Sequence, residues 1–388
     1  MKVVGRKILK GLCFLTEPGA KCLIVLAGLT LAFSGCSLPI WGAPLEGIKE
    51  GIVETSRPPK VVDRRGGEVL FISPISTGRQ DRALSVNARG ETLQWNVAAD
   101  TFEKLFRITN RIDKVAFSPR AQMLAVSQGR VVSVFSIPEK KKLYSMDRVR
   151  GKVTSLGFQP NGEGLIIGAA DGNLYRWKFL QESQTTVLDE KAKSFERYTG
   201  HSSVVSSVAM HPGGRVIFSG DWSGNLRAWK AYDADPVKAK YEENLFGPKF
   251  FADKALFVEK KSSSDDGIER IRVSEDGEFL FVALHSGALE LWEVRGFVRR
   301  AVVAAHRGLI YDLAISQDGK RLATVGRDGF VRFWKVAEQG GDDRSISTAK
   351  VLSFSKERET SLPPARTLAF EGDAVLAGAT DGRVFHIS

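Results

Sequence analysis

Five histidines, His201, His211, His285, His306 and His386, are the side chains from which any imidazole catalysis or metal binding in this chain would have to be assembled. No two of them stand at the H-x₃₋₅-H spacing that brings two ring nitrogens onto one zinc ion. None sits in the strained strand-to-helix turn that exposes a serine nucleophile beside its base. Thiol chemistry has no better footing, because the three cysteines, Cys13, Cys22 and Cys36, all fall within the first 36 residues. Asp233-Ala234-Asp235 and Ser264-Asp265-Asp266-Gly267 bring together oxygen ligands of the kind calcium takes, yet neither completes a coordination loop. Turn and linker chemistry accounts for both. The expectation is a protein with no catalytic residue, no cofactor and no metal.

The elements that would position any site are repeated. Seven times a glycine turn leads into a short strand ending on a large apolar residue: Gly90 to Trp95, Gly129 to Phe135, Gly172 to Trp177, Gly224 to Trp229, Gly287 to Trp292, Gly329 to Trp334, and Gly382 to Ile387. Six of the seven share one spacing, and the Phe135 unit carries one extra residue. The closing residues lie 40, 42, 52, 63, 42 and 53 positions apart. The short intervals match the ~40–45 residues of one four-stranded propeller blade. In the clearest unit Val204–Met210 alternates like a strand, His211-Pro212-Gly213-Gly214 turns, and Val216–Ser219 and Leu226–Lys230 form two further strands around a glycine turn. Runs such as Leu165-Ile166-Ile167 and Phe279-Leu280-Phe281-Val282 are continuously apolar, as sheets covered on both faces require.

Gly200-His201 and Ala305-His306, together with Trp229 and Trp334, resemble the Gly-His dyad and the strand-ending tryptophan of the WD-repeat family. The Asp that follows the tryptophan in that family is missing; Asn96, Ser136, Lys178, Lys230, Glu293, Lys335 and Ser388 stand there. The resemblance covers residues 47–388 and implies an all-β fold: a seven-bladed β-propeller of four-stranded antiparallel blades. Six or eight blades remain the alternatives, because the unit beginning near Glu68 is irregular. The resemblance also implies closure by an N-terminal strand that pairs with the last blade, expected within 47–62 and around Ile52-Val53-Glu54-Thr55, since an open edge invites pairing with other chains. It gives His201, Trp229, His306, Asp328 and Trp334 structural roles, with His306 hydrogen-bonded to Thr324 and Asp328.

Ahead of the repeats, Lys2, Arg6, Lys7, Lys10 and Lys21 form a basic leader, Cys22–Phe33 is an uncharged apolar run, and Ser34-Gly35-Cys36 follows. This order reads as a secretory signal over residues 1–35, too short for a transmembrane helix. Small residues directly before a cysteine resemble the lipobox of bacterial lipoproteins, which implies acylation of Cys36 and a tether over 36–46. Ser37, rather than Asp, after the cysteine favours the outer membrane by that family's sorting rule. The absence of cysteine after Cys36 suits an oxidising compartment. The formal charge of +11 includes a net +4 from the leader, leaving +7 spread over residues 36–388, with acids interspersed. No nucleic-acid module is present, and no nucleic-acid partner is expected.

Blades are committed to packing, so partner sites belong on rims and loops. By the WD-repeat resemblance, the residue before each turn projects onto the top face; here these are Ala88, Ala170, Trp222, His285, Arg327 and Thr380. Trp222, His285 and Arg327 fall on consecutive blades with Tyr311 nearby, and Trp, Tyr and Arg are enriched at interface hot spots. Long insertions after Trp177, Trp229 and Trp334 should emerge on the opposite face, the second carrying Phe246, Phe250 and Phe251. The expected function is a non-enzymatic protein-binding scaffold, lipid-anchored in a bacterial cell envelope on its periplasmic side, with other envelope proteins as partners. The alternative is a small-molecule-binding or hydrolytic propeller working in its central channel. The inner-strand ring Val69, Lys114, Ser155, Ser207, Arg270, Asp312 and Thr367 would then support an anion pocket at most.

Overall fold

A computed structural model describes residues 22–26, 29–33, 60–64, 67–75, 82–97, 99, 101–179, 195–231, 257–261, 266–339, 351–362 and 365–388. Every regular element among them is a β-strand. Met1–Leu45 and Glu46–Ser388 are separate compact units. In the first, Cys22–Leu26 and Leu29–Phe33, the run expected to be the apolar core of a signal, pair as a two-stranded antiparallel ribbon.

The second unit holds seven four-stranded antiparallel sheets. From the innermost strand outward, blade 1 is Val69–Pro74, Arg82–Asn87, Glu91–Asn96 and Thr101–Arg107, and blade 2 is Lys114–Ser118, Met123–Gln128, Val131–Ser136 and Lys141–Met146. Blade 3 is Val153–Phe158, Gly164–Ala169, Asn173–Lys178 and Phe195–Thr199; blade 4 is Val205–Met210, Val216–Asp221, Asn225–Lys230 and Phe257–Lys261. Blade 5 follows with Ile268–Val273, Phe279–Leu284, Ala288–Glu293 and Val298–Ala304, and blade 6 with Ile310–Ile315, Arg321–Gly326, Phe330–Gln339 and Val351–Ser361. Blade 7 has three strands of its own, Ala365–Glu371, Ala374–Ala379 and Arg383–Ile387. The innermost strands contact one another in a single closed cycle, blade 7 against blade 1 included. The expected seven-bladed propeller is therefore the fold.

The core lies between blades. Gly164–Ala169 and Val216–Asp221 are buried at every position, which is why these second strands show no alternation. Val216, Phe218 and Leu226 of blade 4 pack on Ile268, Leu280 and Trp292 of blade 5. Each such fully buried side chain contributes about 1.5–3 kcal/mol relative to exposure. At Gly287 the turn glycine has two causes at once. Gly287 has φ +94°, and a Cβ there would lie 2.3 Å from the backbone oxygen of His306 in the loop leaving the same blade.

The closing strand is Lys60–Arg64, not the segment around Ile52-Val53-Glu54-Thr55. Val61 pairs with Phe385 and Arg64 with Arg383. Connection length explains the choice. Outer strands that end at Thr199 and Ala304 reach the next inner strands at Val205 and Ile310 through five residues. Arg64 reaches Val69 through four, whereas a strand ending at Thr55 would leave a connection more than three times as long. Of the three insertions, the described part is the blade 6 hairpin, whose strands run on to Gln339 and Val351. Phe246, Phe250, Phe251 and Cys36 lie outside the described residues.

Candidate partner-binding face and the frame beneath it

The two histidines expected to be structural are held by one hydrogen-bond pattern. In blade 4, Trp229 Nε1 donates to Ser219 Oγ (2.7 Å), Ser219 Oγ lies 2.6 Å from His201 Nε2, and His201 Nδ1 lies 2.7 Å from Asp221 Oδ2. Indole N–H can only donate and a carboxylate can only accept, so Nδ1–H donates to Asp221, and the serine hydroxyl accepts from the indole and donates to Nε2. Blade 6 repeats the chain with Trp334, Thr324 and His306, at 2.9 and 2.8 Å, and with Asp328 2.9 Å from Nδ1. There a second donor joins: Arg332 Nη1 reaches Asp328 Oδ2 at 2.7 Å. Burial alone would raise Asp328, but hydrogen bonds from His306, Arg307 N–H and Arg332 bring it down to about 2.

The pairing of indole with hydroxyl extends to blade 1, where Trp95 donates to Ser85 at 2.8 Å. The position two residues beyond the aromatic's cross-strand partner is Val126 in blade 2, Ile167 in blade 3, Val282 in blade 5 and Ala377 in blade 7. Blades 2 and 7 close on Phe135 and Ile387, which need no acceptor, and Trp292 of blade 5 turns to Glu290 instead, at 2.9 Å. The carboxylate that holds each histidine also comes from two backbone positions. Asp221 pairs with Val205 at the strand end, where blade 6 has Gly326 opposite Ile310; Asp328 reaches in from the turn two residues later. A Cβ on Gly326 would fall 2.3 Å from His306 Nδ1, so blade 6 has no room for the blade 4 solution. Sequence reading missed Asp221 because it looked for the acid at the turn, where blade 4 has Ser223.

Burial holds His211 and His306 below the ordinary histidine value of 6.5. A folded state that resists protonation keeps its full contribution above the unfolded value and loses it as pH falls below about 6.5. His285 runs the other way: the hydrogen bond it donates to Glu269 raises it, so its contribution is lost as pH rises through the folded value. The two buried rings outweigh the half-exposed one, and the thermal midpoint is expected to be lower at about pH 5 than at about pH 7.5. His211→Asn should shrink that difference in a circular-dichroism melt; a midpoint that rises on acidification would contradict the assignment.

Five of the six residues expected before the turns, all but Thr380, share one backbone hydrogen bond. The backbone N–H of Ala88, Ala170, Trp222, His285 and Arg327 each donates to the residue entering its own blade: Glu68, Lys152, Val204, Gly267 and Leu309. Blade 2 has no equivalent, because Gln128 pairs directly with Val131 across a two-residue turn. Trp222 is 52% exposed, the most exposed large apolar side chain among the described residues. Its ring lies 6.2 Å from that of His285, and Gly267 makes room for both: a Cβ there would sit 2.5 Å from His285 Nδ1 and 2.7 Å from the Trp222 oxygen. Glu269 Oε2 holds His285 Nε2 at 3.2 Å. Arg327 is exposed on the next blade. Tyr311 is not on this rim. It lines the channel, packs into the blade 6–7 interface, and lies beneath the Arg366 guanidinium at 3.6 Å.

The channel is a cavity of about 780 Å³, and all seven inner-ring residues line it. Several of them are occupied as stitches between blades. Ser155 Oγ accepts Val208 N–H (3.0 Å), Ser207 Oγ accepts Ile271 N–H (2.9 Å), and Asp312 Oδ2 accepts Leu368 N–H (3.1 Å). Asp312 is also flanked by Arg272 at 3.3 Å and Arg270 at 3.7 Å. Arg272 and Arg366 were not foreseen in the ring; alternate positions on the same inner strand, or its first residue's neighbour, bring them there. Burial and the nearby Arg270 cation lower Lys114 to about 8. No cluster of three His, Cys, Asp or Glu side chains fit to hold a metal occurs among the described residues.

Residues 192–230 and 298–335 match the family described as WD domain, G-beta repeat. Each stretch runs from the outer strand of one blade through the third strand of the next, and the two contain the His201 and His306 chains. The chain is similar to Target of rapamycin complex subunit wat1 of Schizosaccharomyces pombe, 23% identical over 59% of this chain and 66% of that protein. It is also similar to Cilia- and flagella-associated protein 57 of Mus musculus, 21% identical over 62% of this chain but 17% of that protein. Protein LST8 homolog of Drosophila melanogaster is 20% identical over 68% of this chain and 75% of that protein. Blades 4 and 6 of this seven-bladed propeller thus contain the stretches similar to that repeat, each locked by a His–Asp and Trp–Ser/Thr chain.

Proposed function

We propose that this protein is a non-enzymatic, protein-binding scaffold that engages other envelope proteins through the face carrying Trp222, His285 and Arg327. One observation carries the reading: an indole more than half exposed, set against an imidazole, at a position that is Ala in blades 1 and 3. Burying such a side chain in a partner gains area that the fold itself leaves unused. The similar yeast protein is by its name a complex subunit, which supports a role in an assembly. The Cys36 motif supports a lipid anchor, and with Ser37 an outer-membrane position facing the periplasm; two or more acyl chains at about 0.8 kcal/mol per buried methylene make such an anchor stable.

One experiment tests both parts. The chain is captured from detergent-solubilised envelope of cells grown with labelled palmitate. Wild type should carry label and a stoichiometric partner; Cys36→Ala should lose the label, and Trp222→Ala/Arg327→Ala should keep the label and lose most of the partner. Full partner recovery by the double variant would refute the face, and label retained by Cys36→Ala would refute the anchor.

A further inference from the structure

The other half of the same face is built from arginine. The connections at that end of blades 1 to 3 present Arg89, Arg107, Arg111, Arg130, Arg148 and Arg150, all exposed. None of the six forms an ion pair with a described residue. Arg107 and Arg130 instead donate from Nε to the backbone oxygens of Arg89 (3.2 Å) and Val149 (2.8 Å), and Arg148 lies 6.0 Å from the Phe195 ring centre. Of the acids on the same connections, Asp113 is paired with Lys152 at 2.8 Å and Glu91 with Lys104 at 2.7 Å, which leaves exposed Asp147 and Asp171 against the six arginines. The corresponding connections of blades 4 to 6 are balanced, with Arg307 and Arg327 against Asp221, Asp266 and Asp328.

Like charges gathered on one rim repel each other and add nothing to fold stability, so their use is toward a partner. Tying Nε to a backbone oxygen fixes the guanidinium plane and leaves both terminal nitrogens outward, the fork that receives a carboxylate with two hydrogen bonds. A bilayer would want apolar side chains to insert, and Val131 alone in this sector is a large apolar residue more than a third exposed. Single-stranded nucleic acid would want exposed rings to stack on, and the one exposed aromatic among the described residues is Trp222, on blade 4.

We propose that the rim of blades 1 to 3 docks an acidic, Asp/Glu-rich segment of a protein partner. The proposal rests on the preceding section only in taking this face as the partner face. The test uses the full chain and a fluorescein-labelled decapeptide of glutamate, read by fluorescence anisotropy at low and moderate salt. Arg130→Glu/Arg150→Glu should weaken binding by about tenfold or more, because it sets like charges against the peptide. Lys142→Glu/Lys320→Glu, with the same charge change away from this rim, should shift it by less than about twofold, as should Trp222→Ala. Equal losses in both charge-reversal variants mean diffuse attraction and overturn the proposal. So does tighter, arginine-dependent binding of anionic phospholipid vesicles or of an oligothymidylate. A partner captured by Trp222→Ala/Arg327→Ala but lost by Arg130→Glu/Arg150→Glu would sink the Trp222 reading while leaving this one standing.

Discussion

Trp334→Ala should lower the free energy of unfolding by about 3–5 kcal/mol, the range for truncating a buried large aromatic. Trp334 is 3% exposed and packs among Phe281, Leu289, Leu291 and Leu322, so it joins blade 6 to blade 5. Its indole also ends the donor chain through Thr324, itself fully buried, to His306. Trp334→Phe separates the two effects. It keeps most of the apolar volume and removes only the donor, so about 0.5–1.5 kcal/mol is expected. Trp292→Phe should cost more, about 1.5–3 kcal/mol, because the donor removed serves the buried, charged Glu290 carboxylate rather than a hydroxyl. Urea unfolding curves followed by tryptophan fluorescence and circular dichroism decide it. A loss below 1 kcal/mol for the alanine variant would mean that the frame is not what joins the blades.

The second large effect concerns closure. A chain beginning at residue 57 should fold like the full chain, whereas one beginning at residue 67 should lose cooperative unfolding and aggregate. Without Lys60–Arg64, the third strand of blade 7 presents Arg383–Ile387 as an unpaired edge. The ladder hydrogen bonds lost are worth about 0.5–1.5 kcal/mol each, and the ring is no longer shut between blades 7 and 1. The comparison also discriminates between strand positions. If closure came from residues 52–55, removing the first 56 residues would already be as damaging. Size-exclusion chromatography and thermal melts of the two truncations separate the cases.

The rim chemistry and the stability of the ring are separable in this architecture. Trp222 and the arginine sector sit on loops at one end of the blades. The frame of Trp, Ser/Thr, His and Asp lies in the sheets beneath them. Substitutions in the loops should therefore leave the melting behaviour close to wild type, and substitutions in the frame should not.

The pairing of His306 with Thr324 and Asp328 followed from the WD-repeat resemblance, and the all-β class and a ring of about seven blades were legible in the number and spacing of the repeats. So was the equivalence of Trp222, His285 and Arg327, which a fixed offset from the turn glycine defines. What the chain alone did not disclose depends on which segments meet. Asp221 replaces the turn acid in blade 4, whose turn has Ser223 instead, and Gly326 shows that blade 6 could not accept the same exchange. The closing strand slid to Lys60–Arg64 because a short connection must feed blade 1, a constraint invisible until both ends are placed. Tyr311, adjacent in sequence terms, turned inward under Arg366. Arginines scattered over more than sixty residues looked like ordinary surface charge. Local periodicity dictates the strands, but only the ring, by bringing the connections of separate blades to one end, makes a face of them.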